Sequence, residues 1–210
     1  MHCRRRRAAV TSSARTAAVI WLLGTSLYLI CEAVAAAGKP GYRYAANYIS
    51  DLGTSAVMNV GAFMMHGVLF GLGAVIAVRA FPGAGRVGWA FVAAAAANTV
   101  GNVLVGTFHS GMHGPVAPHV IGAGLAIAGG NVAALLAGFG AHRIGLSHNY
   151  SRASIALGVV GIGCLLALPL FPVGVVERGA VYPIIAWELM TGIAILCASP
   201  GRGTPARRPL

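Results

Sequence analysis

The chain has 210 residues, a length that suits one or two soluble domains, yet 57% of them are apolar, 9% are charged and mean hydropathy is +0.77. Those figures exclude a water-soluble fold. The formal net charge of +11 does not indicate a nucleic-acid partner, because the arginines lie in short loops and tails with no basic face interleaved with aromatics.

Six apolar stretches, 17–38, 60–80, 87–106, 118–141, 153–172 and 180–199, are each long enough to cross a hydrocarbon core about 30 Å thick. The fold class is therefore all-α, a six-transmembrane-helix bundle, with short connections that leave no room for a separate soluble domain. The basic tail 1–16 is expected to be disordered. In the first span Trp21, Thr25, Tyr28 and Glu32 recur at i, i+4, i+7 and i+11 and share one helix stripe. The following loop carries Lys39, Arg43 and the Ser50-Asp51 pair, a turn or helix cap by residue type and also a candidate nucleophile with a water-orienting acid. The second span holds His66, with Gly67 and Gly71 at the spacing that lets helices approach closely. The third span offers the same-face pair Asn98 and Asn102. His109 and His113 occupy the next loop, and His119 opens the fourth span. The fifth is lined by Gly158, Gly161 and Gly163, Glu177 and Arg178 fall in the loop after it, and Glu188 with Thr191 shares a face of the last span. The basic, Pro/Gly-rich tail 200–210 is again expected to be disordered.

Sidedness follows from the charges. Twelve of the fifteen basic residues fall on the side of the two termini and three, Lys39, Arg43 and Arg178, on the other. Because Lys and Arg in short loops resist translocation, both termini are expected in the cytoplasm of a bacterial cell, with the protein multi-pass in the inner (plasma) membrane. A basic start, an apolar run and the small residues from Ala33 to Ala37 also have the form of a cleaved signal peptide; the length of the run and Glu32 within it favour a retained span. None of the four cysteines lies in a loop on the side opposite the termini, so no structural disulfide is expected.

All four acidic residues, Glu32, Asp51, Glu177 and Glu188, fall in the half of the bundle away from the termini or in its loops. Glu32 and His66 each lie about six residues, roughly 9 Å, from that end of their spans. Because an ionisable group in a span faces the interior or a partner, these residues, with Asn102 and His119, mark a candidate site that opens outward. The ligand-binding set is Glu32, Asp51, His66, Asn102, His119, Glu177, Arg178 and Glu188, with Arg178 and Lys39 available to an anion. Two pairings are expected: Glu32 with His66, from their common depth, and Asp51 with Arg178, as a clamp over the bundle mouth. The expected ligand is a membrane lipid headgroup or a small polar molecule. In an alternative reading, His66, His109, His113 and His119 supply imidazoles to zinc for a lipid hydrolase in which Ser50 and Asp51 are catalytic. Against it, no Glu follows the first His, and Gly111, Gly114 and Pro115 break a helix that would align His109 with His113. A third class, a structural subunit of a membrane complex, needs no site at all.

Gly41-Tyr42, the run Asn47-Tyr48-Ile49-Ser50-Asp51-Leu52-Gly53, Gly106-Thr107-Phe108, His119, Glu177-Arg178 with Tyr182-Pro183, and Trp187 carry a resemblance. Over residues 17–199 the chain resembles the bacterial and archaeal membrane-protein family of domain of unknown function 998. That resemblance implies the architecture and marks these positions without supplying an activity; His109 and His113 are additions of this sequence. A remoter similarity is to intramembrane hydrolases of the alkaline ceramidase and adiponectin-receptor type, which implies a Ser, an Asp and three His around zinc. Ser50, Asp51, His66 and His119 offer those residue types, but the seventh span and the His pair on the last span are missing.

Overall fold

The computed structural model of the chain describes residues 11–109 and 116–198. Most of the tails expected to be disordered, and His113 and Cys3, lie outside the described residues. Six helices long and apolar enough to cross a membrane make up the fold: α1 (Ser12–Ala37), α2 (His66–Ala80, continuing a π-helical segment Val57–Met65), α3 (Gly85–Thr107), α4 (Ala117–Gly140), α5 (His148–Ala167) and α6 (Val173–Cys197). The protein is a multi-pass, all-α membrane protein. Each helix packs on the next, α6 closes the ring on α1, and α4 also reaches α6. Leu23, Ile30, Val68, Leu72, Phe139, Val159 and Leu166 point outward and are exposed, as lipid-facing residues must be.

Local chemistry sets the helix starts. Thr11 caps α1, its side chain accepting from the amide of Ala14, so residues 12–16, read from sequence as tail, are helical. Ser147 caps α5 in the same way through the amide of Tyr150, placing that helix five residues earlier than the apolar run. The largest difference is in α6, which begins at Val173 and not at residue 180. The hydropathy boundary stopped short of Glu177 and Arg178 because charges count against a span. Both are only 8% exposed and are held by partners inside the bundle.

Packing divides the interior into two layers. On the side of the termini, Trp21, Phe70, Phe91 and Trp187 form one apolar cluster of rings packed mainly edge to face, and the Trp21 indole donates to the carbonyl of Phe70 at 3.2 Å. On the other side, here termed the loop face, Tyr28, Ile49, Leu52, Met58, Phe63 and Ile185 form a second cluster. Small residues and amides join the helices. Gly158 and Gly161 of α5 lie against Asn131 of α4, whose amide donates to the carbonyl of Ala180 in α6 at 2.8 Å. Gly163 meets nothing, so the fifth-span glycines do not all serve packing.

The closest approach is between α3 and α4, where a Cβ on Gly101 would collide with backbone atoms of Gly122 and Ala126. Gly101→Ala should therefore destabilise the detergent-purified protein by about 1–3 kcal/mol, the usual scale of overpacking. Gly163→Ala, which enters open space, should leave the thermal midpoint unchanged or raise it. Equal midpoints for the two variants would contradict this packing.

Candidate functional site

The segment Gly38–Ala56 folds back over the loop face as a series of turns held largely by its own backbone. The Lys39 ammonium donates to the carbonyl of Asp51, and Asp51 Oδ2 accepts from the amide of Tyr48 at 3.0 Å. Asn47 Oδ1 accepts from the amide of Arg43 at 2.9 Å, and the Tyr42 hydroxyl donates to the carbonyl of Tyr48 at 3.0 Å. Asp51 lies in the first turn of the short 3-10 segment Ser50–Thr54 and its side chain fixes the preceding turn through the amide of Tyr48.

Two residues of α6 bind this segment to the bundle. Glu177 accepts from the buried amide of Ile49. From Nη1, Arg178 donates to the carbonyls of Tyr44 at 2.5 Å, Asn47 at 3.1 Å and Gly174 at 3.1 Å. From Nη2 it donates to Glu32 Oε1 at 3.0 Å and to the Tyr42 hydroxyl at 2.5 Å, and its plane lies 4.6 Å from the ring of Tyr44. The Tyr182 hydroxyl donates to both oxygens of Glu32 at 3.2 Å. Burial pushes the Tyr42 hydroxyl above its ordinary range, against the opposing pull of the guanidinium, so it remains a neutral donor at physiological pH.

Deeper in the bundle, His66 Nε2 lies 2.7 Å from Glu188 Oε1, with both side chains almost wholly buried. The ring of Tyr28 meets His66 edge-on at 5.1 Å, and His66 Nδ1 and Glu188 Oε2 have no hydrogen-bond partner. Between these two networks lies a cavity of about 50 Å³. Tyr28, Ser50, His66, Asn98, Asn102 and Glu177 line it, among apolar residues that include Ile49, Phe63 and Val105. Asn98 donates to the carbonyl of Ala126 at 2.6 Å, and Asn102 donates to the carbonyl of Asn98 at 3.0 Å and to its side-chain oxygen at 3.1 Å.

Both pairings expected from sequence are corrected. Glu32 pairs with Arg178 and Tyr182, while His66 pairs with Glu188; the two do not share a depth, since His66 packs against Gly24 and Tyr28 of α1, one to two turns further in than Glu32. Arg178 does not reach Asp51; it binds loop carbonyls directly, and the clamp over the bundle mouth is made by Glu177 and Arg178 on main-chain atoms. Lys39 and Arg178 are both committed to oxygen partners, which removes the two cations offered to an anion. His119 stands apart from the cavity and holds the end of α3, with Nδ1 2.8 Å from the carbonyl of Phe108. His109 ends the described stretch after α3 and does not line the cavity. Among the described residues no three His, Cys, Asp or Glu side chains come together as a metal site would require. Sequence reasoning left Tyr42 and Tyr182 out of the site. Tyr182 lies four residues after Arg178 on the same helix face, a spacing that could have pointed to it.

Together these features define a class: a six-span helical membrane protein with a loop strapped over a small cavity beside two buried charge networks. The chain belongs to the family described as protein of unknown function (DUF998), whose model matches residues 22–194. No curated protein and no solved structure matches it.

Breaking a buried ion pair by removing one partner costs about 3–5 kcal/mol. Glu32→Gln and Arg178→Gln should each destabilise the purified protein on that scale, and the double variant should lose far less than the sum. Glu32→Gln with His66→Gln should be additive within about 0.5 kcal/mol. Thermal or denaturant unfolding decides; coupling in the second cycle and none in the first would contradict the assigned partners.

Proposed function

We propose that the protein binds the polar tip of a lipid headgroup, a primary amine, in the cavity beneath the Gly38–Ala56 segment. The observation that carries this reading is the lining itself: a carboxylate, two amides, a serine and an imidazole around one small space, with no lysine or arginine among them. Such a set accepts hydrogen bonds from a donor and has nothing to balance a phosphate. The volume supports a tip and not a whole headgroup, since it has room for only a few waters at about 10–15 Å³ of such space each. The loop face points away from the cytoplasm in this proposal, supported by the charge split, so the ligand comes from the outer side of the plasma membrane. Zinc hydrolysis receives no support from the histidine positions, and a purely structural subunit would give the cavity no role.

The test is lipid retention. The full chain, purified in detergent and offered equal phosphatidylethanolamine, phosphatidylcholine and phosphatidylglycerol, should retain the ethanolamine lipid in native mass spectra. Glu177→Gln should weaken that retention about tenfold, equivalent to about 1.4 kcal/mol. Equal retention of all three, or preference for the glycerol lipid's anionic headgroup over the amine, would sink the amine reading. Free ethanolamine that stabilises the protein as well as the lipid does would assign the site to a soluble amine.

A further inference from the structure

The binding reading takes the His66 ring only as one wall of the cavity and makes no use of its bond to Glu188, and the surroundings of that pair are asymmetric. Towards the loop face, His66 and Tyr28 border the cavity. Towards the face of the termini, rings close the path. Phe70 lies 6.5 Å from His66, Trp187 lies 6.1 Å from Phe70, and Trp21 lies 5.3 Å from Trp187, all at most 2% exposed. The two groups touch at 2.7 Å, yet each keeps a second polar atom, Nδ1 and Oε2, buried and unpartnered. Leaving such atoms unpaired carries a desolvation cost that a purely structural bond would avoid. A carboxylate and an imidazole in contact titrate as a unit and share whatever proton they hold.

We propose that the His66–Glu188 pair is a proton-binding site that exchanges with the loop face through the cavity and is sealed from the opposite face by the rings of Trp21, Phe70 and Trp187. A proton taken up from the cavity resides on the imidazole, and the carboxylate balances its charge, so the occupied pair is neutral. The site is independent of any headgroup. Among the described residues, the other titratable groups facing it are Tyr28 of α1, Glu177 of α6 across the cavity with Arg178 beside it, and Tyr150 of α5, bonded to Thr191 one turn from Glu188. From α3 and α4 the cavity receives only the amides Asn98 and Asn102 and apolar side chains such as Ala126 and Ile127.

Hydrogen–deuterium exchange at the imidazole C2 position, read by mass spectrometry on the full chain in nanodiscs, tests this. That hydrogen exchanges only through the imidazolium and only where water base reaches it. His66 should give a sigmoidal rate profile with pH, and Glu188→Gln should move its midpoint by about one pH unit or more, in line with loss of a contacting charge. Ala123→Leu, which grows into the cavity, should slow His66 about tenfold by making exchange depend on local opening. The exposed His148 should be unaffected. No exchange at His66 in the unsubstituted protein, a midpoint indifferent to Glu188→Gln, or a rate indifferent to Ala123→Leu would each overturn the proposal. Should Glu188→Gln fail to fold, the unsubstituted protein and Ala123→Leu decide the matter alone.

Discussion

A guanidinium inside an apolar bundle must have partners, and Arg178 is where this fold meets that demand. Its five hydrogen bonds run to a carboxylate of α1, a carbonyl of its own helix, and two carbonyls and a phenol of the strapped segment. Three parts of the chain are therefore positioned by one planar cation. A lysine could not replace it, because a single ammonium lacks the fork that reaches partners on several sides. The same demand explains why α6 continues past its apolar stretch to Val173: the charged turn stays helical because Glu177 and both Nη groups of Arg178 find partners within reach, only Nε being left without one among the described residues.

What lies beneath the strap follows from packing. Glycines bring α3 against α4 at backbone contact, and Gly67 and Gly71 of α2 receive Asn102 and Thr99 of α3. These contacts hold the helices close enough that the remaining gap is small. The nine-residue π-helical stretch before His66 widens about two turns on the loop side, a departure that accompanies functional positions in many helices. The ring cluster then floors the space. Within a few ångströms the interior changes from ion pairs to closely packed indoles and phenyls, and the His66–Glu188 pair sits on that boundary.

The sequence carries helix faces better than depth or partners. The stripe Trp21, Thr25, Tyr28 and Glu32 was legible because helical period alone places it, and all four side chains are at most 3% exposed. Glu188 with Thr191, and Asn98 with Asn102, were legible for the same reason. Pairing was not: His66 lies beside Gly24 and Tyr28, one to two turns further in than Glu32, and the two face different neighbours. The π turn contributes, because one extra residue per turn shifts the phase of everything after it, and no residue type announces it. Apart from the Tyr42 hydroxyl, the partners of Glu177 and Arg178 in the strap are main-chain groups, which any residue carries and no pattern reveals. Tyr42 and Tyr182 lay within the motifs that carry the family resemblance but had no assigned role until the guanidinium and Glu32 gave them one.

The central claim is that Arg178 holds the Gly38–Ala56 segment over the cavity. Amide hydrogen exchange on the full chain in nanodiscs, comparing the unsubstituted protein with Arg178→Lys, measures this most directly. The account predicts faster exchange across residues 43–52, including the amide of Ile49, with α3 and α4 protected as before. Unchanged protection of that segment in the lysine variant would contradict it.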